Sequence, residues 1–183
     1  AGKPAWSLEQ LQRARGLEPA NLGIRINILC LEALEGHLDA AMRGLRAVTT
    51  GPYHRADAYY NLAVLQLAAG DPEGAVVSAA AAIEEGKQGA DAYTNLAVAL
   101  WEQGRRAEAL PHFQAANEAP DANPQTASNL GRALMLEGDP ERAIQVLNPA
   151  REKWRADSGL AFDLATALLS SAAARYRPDM TAA

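Results

Sequence analysis

Residues 56–70 read ADAYYNLAVLQLAAG, and residues 90–104 read ADAYTNLAVALWEQG. The two stretches are identical at nine of fifteen positions, at an offset of 34. Sliding the whole chain by that offset brings further residues into line. Asn27, Asn61, Asn95 and Asn129 share one column. Gly36, Gly70, Gly104 and Gly138 share a second, and Ala41, Ala75, Ala109 and Ala143 a third. Repetition at a fixed period of this length is the mark of an architecture assembled from small stacked units. The columns place those units at 22–55, 56–89, 90–123 and 124–157.

Each unit reads as a helical hairpin. In the second, Tyr59, Leu62, Ala63 and Leu67 recur at helical spacing and mark a buried face. Gly70 can take positive φ and stop the helix. Asp71 can cap the next helix, and Pro72 suits its first turn. Ala75, Ala79, Ala82 and Ile83 then form the apolar stripe of a second helix. The fourth unit repeats the turn as Gly138, Asp139, Pro140 and Glu141. Ala63, Ala97 and Gly131 sit where a neighbouring helix must cross, and Ala75, Ala109 and Ala143 are their reciprocal. A larger side chain at such a crossing costs roughly 1–3 kcal/mol.

This pattern resembles the tetratricopeptide repeat. Tyr59, Leu62, Ala63, Gly70, Ala75 and Ala82 match the family pattern in the second unit. Tyr93, Leu96, Ala97, Gly104, Ala109, Phe113 and Ala116 match it in the third. The resemblance implies an all-α fold, a right-handed superhelix of antiparallel helix pairs with a C-terminal capping helix. There are departures. Arg25 stands where the family prefers a large aromatic, and Glu32 and Gln66 where it prefers Tyr or Leu. Pro149 falls inside a second helix, where it removes a backbone donor and is expected to kink it.

The ends follow the same phase. Residues 6–19 fit the second helix of a preceding unit, with Leu11, Ala14 and Pro19 in register; a solitary capping helix is the alternative. Residues 158–176 open as a fifth first helix, expected to turn Leu160, Leu164, Ala165 and Leu168 inward and Asp163, Thr166, Ser170, Ser171 and Arg175 outward, capping the array. The tail RPDMTAA reads as frayed.

In the family the first helices line the concave wall, so the phase names its residues. The Asn column continues to Asp163. Three residues on lie Cys30, Val64, Val98, Arg132 and Thr166; further along lie Ala33, Leu67, Trp101, Met135 and Leu169. One residue before the asparagines come Ile26, Tyr60, Thr94, Ser128 and Phe162. Helices pack about 8–10 Å apart and an extended peptide rises about 3.3 Å per residue. Successive asparagines would therefore meet about every third residue of a bound strand. A carboxamide both donates and accepts, and can hold a peptide group of any sequence. The expected groove is Asn27, Asn61, Asn95 and Asn129 with Tyr60, Val64, Val98, Leu67, Trp101, Arg132 and Met135. Arg132 would meet a ligand carboxylate. The competing assignments are structural: asparagines bonding helix to helix, Trp101 filling space, Arg132 solvated. A two-carboxylate clamp for chaperone C-termini is excluded, because the positions of its lysines hold Ile26 or Tyr60 and Cys30 or Val64.

Composition narrows the class further. The net charge of −5 comes with scattered Lys and Arg, which offers no basic face to nucleic acid. No apolar stretch reaches eighteen residues, so no membrane insertion is expected. A single cysteine, Cys30, excludes an internal disulfide; it favours a reduced, cytoplasmic setting and is compatible with the periplasm. His37, His54 and His112 fall on turns or second helices without a phased nucleophile, and phosphate-loop and metal-ligand spacings are missing. No enzyme activity, cofactor or metal is expected, and Cys30 reads as a small apolar filler. The sequence reads as a protein- or peptide-binding scaffold, and its Ala- and Arg-rich spelling suggests a bacterial assembly or secretion setting. The alternatives are a recruiting segment of a larger enzyme such as a glycosyltransferase, and a homo-oligomer built by end-to-end stacking.

Overall fold

In a computed structural model the chain is described over residues 3–18 and 20–176, with side chains from residue 9 onward. Among these residues it is all helical, and consecutive helices pack in pairs. The helices are α1 (Lys3–Leu17), α2 (Leu22–Leu34), α3 (Leu38–Thr49), α4 (Arg55–Ala68), α5 (Pro72–Glu84), α6 (Ala90–Glu102), α7 (Arg106–Glu118), α8 (Pro124–Leu136), α9 (Pro140–Lys153) and α10 (Ser158–Arg175). Pro19 and the RPDMTAA tail lie outside the described residues.

The turn chemistry follows the sequence. Gly36, Gly70, Gly104 and Gly138 all hold positive φ, between 71° and 97°. A side chain is strained in that conformation, so each glycine ends a first helix where an L-residue would resist. Asp71 accepts from Gly74 N at 2.9 Å and Asp139 from Arg142 N at 3.0 Å. Each cap is worth about 1 kcal/mol.

The chain falls into two compact units. The first holds Ala1–Gln88 and Asn95–Arg106, the second Gly89–Thr94 and Ala107–Ala183. In the first, Ile26, Ala41, Leu45, Val48, Ala58, Leu62 and Leu65 form a continuous core across α2, α3 and α4. Ala63 and Ala75 are fully buried, as the helix crossing requires. Tyr59 and Leu67, expected in the buried face, are only half buried; Leu65 and Gln66 are buried instead. Gln66 is held by Ser78 of α5, whose Oγ lies 2.6 Å from the carboxamide. With its nitrogen turned inward the same amide also donates to Leu62 O and Gly74 O. The family departure at Gln66 is thus a satisfied polar tie within a hairpin.

In the second unit α8, α9 and α10 pack on one another. Gly131 is buried, and a Cβ there would stand 2.8 Å from Leu147 Cδ1 and Cδ2. The first hairpin exchanges the bulk: Leu29 of α2 leans on Gly44 of α3, whose added Cβ would overlap Leu29 Cδ2. α9 continues through Pro149 to Lys153, and α7 also holds an internal proline, Pro111.

The orientation of α10 differs from the expected one. Its buried residues are Leu160, Asp163, Ala167 and Ser171, while Leu168 is 50% exposed and Ala165 is exposed. Two polar bonds fix this rotation. Arg132 Nε donates to Asp163 Oδ1 at 2.9 Å, and Ser171 Oγ donates to Glu141 Oε1 at 2.9 Å. Residues expected to face water are therefore held inside by partners on α8 and α9.

Candidate functional site

The column residues are displayed by the first helix of each hairpin, and the structure gives them unequal surroundings. In the first unit Asn27 is exposed on α2, and Ile26 beside it is 3% exposed, a core residue and not part of an open face. Asn61 is half buried and occupied within the molecule. Its Nδ2 donates to Asp57 O at 2.8 Å, one turn back, and its Oδ1 accepts from Cys30 Sγ at 3.2 Å. Cys30 is thus a donor joining α2 to α4, which the apolar-filler assignment missed. Burial pushes its thiol above the ordinary value, so a reactive thiolate is disfavoured at neutral pH.

Asn95 is half buried on α6, and its Nδ2 is out of solvent with no acceptor. A buried donor left unpaired costs about 1–3 kcal/mol. It is the one column asparagine with this unmet demand among the described residues. Val64 is 37% exposed; Leu67, Val98 and Trp101 are half buried. The Tyr60 ring carries Lys87 Nζ at 5.3 Å, and Lys87 also pairs with Asp57 at 2.7 Å. The Trp101 ring carries the Arg106 guanidinium at 5.1 Å. Both aromatic faces are thus backed by a cation. A cavity of about 570 Å³ in this unit is lined by Glu18, Asn21, Tyr53 and His54 and holds none of the column residues.

In the second unit Asn129 accepts from Gln125 Nε2 at 2.8 Å along its own helix, and Ser128 is buried. Arg132, expected to be a ligand clamp or a solvated charge, pairs with Asp163, which is 5% exposed. A cavity of about 440 Å³ opens beside this pair. Gly131, Arg132, Met135 and Leu136 of α8, Leu147 of α9, and Phe162, Asp163 and Thr166 of α10 line it. Phe162 and Leu136 are 70% and 64% exposed, so the cavity continues into an apolar rim. The columns of Arg132, Met135, Phe162 and Thr166 converge on this wall, and only the rotation of α10 could reveal it.

Among the described residues no three His, Cys, Asp or Glu side chains are placed to hold a metal ion, and no helix is long and apolar enough to cross a membrane. His112, on α7, is held below the ordinary histidine value by burial, against the opposing charge of Glu108.

Two family models, both described as tetratricopeptide repeat, match residues 60–125 and 100–158. No curated protein matches the sequence. Among solved structures, TTC0263, a thermophilic tetratricopeptide repeat protein of Thermus thermophilus, superposes with a TM-score of 0.73 at 18% identity, covering 92% of both chains. YrrB, described as having an unusual peptide-binding site, superposes at 0.72 and 18% identity, covering 93% of this chain and 86% of its own. MamA from Desulfovibrio magneticus RS-1, from residue 41 to its end, gives 0.69 at 17% identity, covering 86% and 89%. At these identities the likeness is one of fold.

Proposed function

Because the chain belongs to the tetratricopeptide repeat family, we infer that it is a non-catalytic interaction scaffold that holds a peptide or helix of a protein partner against its first helices. One observation carries this reading: residues of four first-helix columns meet around the 440 Å³ cavity of the second unit, with an apolar rim and an ion pair in its wall. Apolar concavity with a few placed polar groups is what a binding site requires. In the first unit the same columns would add the unmet Asn95 donor, the exposed Val64 and the half-exposed Leu67, Val98 and Trp101. YrrB, a protein of this fold, has an unusual peptide-binding site, which supports a peptide ligand here. The Ala- and Arg-rich spelling supports a bacterial assembly or secretion setting.

The test is recovery of native partners by the full chain and by two variants. Phe162→Glu with Met135→Glu charges the cavity rim; Asn61→Ala with Asn95→Ala removes two carboxamides. Each is expected to weaken partner binding by roughly 1–3 kcal/mol with helical content unchanged by circular dichroism. Full recovery of partners by both variants would remove the reading.

A further inference from the structure

The ion pair in the wall of the second-unit cavity is only half satisfied. Arg132 reaches Asp163 through Nε, onto Oδ1 at 2.9 Å. Oδ2 of the same carboxylate is out of solvent and has no donor among the described residues. A guanidinium turned to present two N–H groups would have covered both oxygens. The contact made here leaves one of them bare, on a side chain that is 5% exposed. A charged oxygen held out of water without a donor is costly to keep.

The residues around the cavity do not supply that donor. The hydroxyl of Thr166, one turn on along α10, donates to Phe162 O at 2.9 Å. The side chains of Met135, Leu136, Leu147 and Phe162 offer only carbon and sulfur. The wall therefore has an unmet acceptor, an apolar lining, and about 440 Å³ of space in front of them.

Charge and shape specify what would fill it. A carboxylate only accepts, and Asp163 already has one cation beside it in Arg132. A lysine or arginine from a ligand would bring a second cation to a single carboxylate and lay it against an apolar wall. A neutral donor avoids that repulsion. Among side chains with a neutral donor, Ser and Thr are too small to cover the lining. Asn and Gln bring a carbonyl oxygen that the lining leaves unpaired, and a tyrosine hydroxyl brings lone pairs with the same defect. Tryptophan joins a large apolar body to one N–H that donates and never accepts.

We propose that the cavity beside Arg132 and Asp163 is a tryptophan pocket: the indole of a protein partner packs on Phe162, Met135 and Leu136, and its N–H donates to Asp163 Oδ2. The last torsion of an aspartate is soft, so a small turn of the carboxylate brings the bare oxygen to the ring. Arg132, 58% exposed, is free enough in water to follow it. The inference rests on the partner-binding reading above and names the residue by which such a partner is anchored.

The experiment titrates the full isotope-labelled chain with small probes and follows the backbone amides of α8 and α10 by NMR. The probes are skatole, which is the tryptophan side chain; N-methylskatole, which lacks the N–H; p-cresol; and butylammonium. Skatole is expected to bind in the millimolar range usual for a ligand of its size. It should bind about tenfold tighter than N-methylskatole, the worth of one hydrogen bond to a charged group, and tighter than p-cresol or butylammonium. Arg132→Met with Asp163→Leu removes both partners of the pair and strands no charge, so both indoles should then bind alike. Asp163→Asn, as a second variant, should narrow the preference to about threefold, because its acceptor is neutral. Equal binding of the two indoles to the wild-type chain would overturn the proposal. So would tighter binding of p-cresol or butylammonium, a preference that survives in both variants, or no shift with any probe. The partner-binding reading falls on a different result, full recovery of native partners by the variants given for it, so the two fail separately.

Discussion

The same pair of columns is bridged once in each unit, and with opposite chemistry. In the first unit Cys30 donates to Asn61; in the second Arg132 donates to Asp163. Both pairs are separated by 31 residues, one repeat less three, so the backbone poses the same geometric problem twice. The first answer is neutral and weak, a thiol on a carboxamide. The second is an ion pair whose carboxylate is 5% exposed and whose guanidinium is largely in water. The inner column therefore serves first to tie one first helix to the next. What this tie leaves over beside Arg132 is the cavity to which the proposed reading assigns a ligand.

If that contrast holds, the two ties break at different cost. Arg132→Met keeps the length of the side chain and strands the buried carboxylate of Asp163. Removing one partner of a buried pair costs about 3–5 kcal/mol, and the exposure of Arg132 argues for about 3. Urea denaturation should show it. A loss below about 1 kcal/mol would class the pair with ordinary surface ion pairs and erase the distinction. The packing contrast is sharpened by two glycines. Gly131→Ala drives a Cβ into Leu147, whose Cδ1, Cδ2 and Cγ all stand 2.8 Å away. A loss of about 1–3 kcal/mol is expected. Gly44→Ala meets mainly the far end of Leu29, a half-buried side chain that can swing. It should cost less than Gly131→Ala, and equal losses would show that both crossings are equally rigid. Cys30→Val, which keeps volume and removes the donor, should cost about 1 kcal/mol at most.

Much of this architecture was legible in the sequence, because helical hairpins write their contacts locally. The glycine column fixed the turns, Asp71 and Asp139 the caps, and Ala63 and Ala75 a crossing, each through a constraint acting within one hairpin. The rotation of α10 was not legible. Periodicity assigns Leu164 and Leu168 to the buried side, yet two charge-bearing partners on other helices, Arg132 and Glu141, draw Asp163 and Ser171 in. Hydrophobic pattern carries no record of a polar residue's distant partner. For the same reason Gln66 looked like a departure until Ser78 was seen beside it. The candidate site suffered similarly: the columns were readable, but whether an asparagine is free or engaged depends on what lies one repeat away. The spacing of 31 is the signal that would have joined Cys30 to Asn61 and Arg132 to Asp163.

The finest contrast between the two ties is their response to alkali. The Cys30 thiol is raised above its unfolded value of 9.0 by burial, so the folded state keeps its proton longer than the unfolded chain does. Its contribution is therefore whole below about pH 9 and is lost as pH rises through the folded value. In that window the thiolate would also face Asn61 Oδ1, an acceptor that cannot donate back. The second tie contains no thiol. Urea midpoints compared between about pH 8 and about pH 10.5 should fall slightly more for wild type than for Cys30→Val, while Arg132→Met and wild type should fall in parallel. Iodoacetamide should label folded Cys30 at about pH 8 more slowly than in urea. Equal labelling rates would mean the thiol is not engaged, and the first unit would lack the neutral tie that sets it apart from the second.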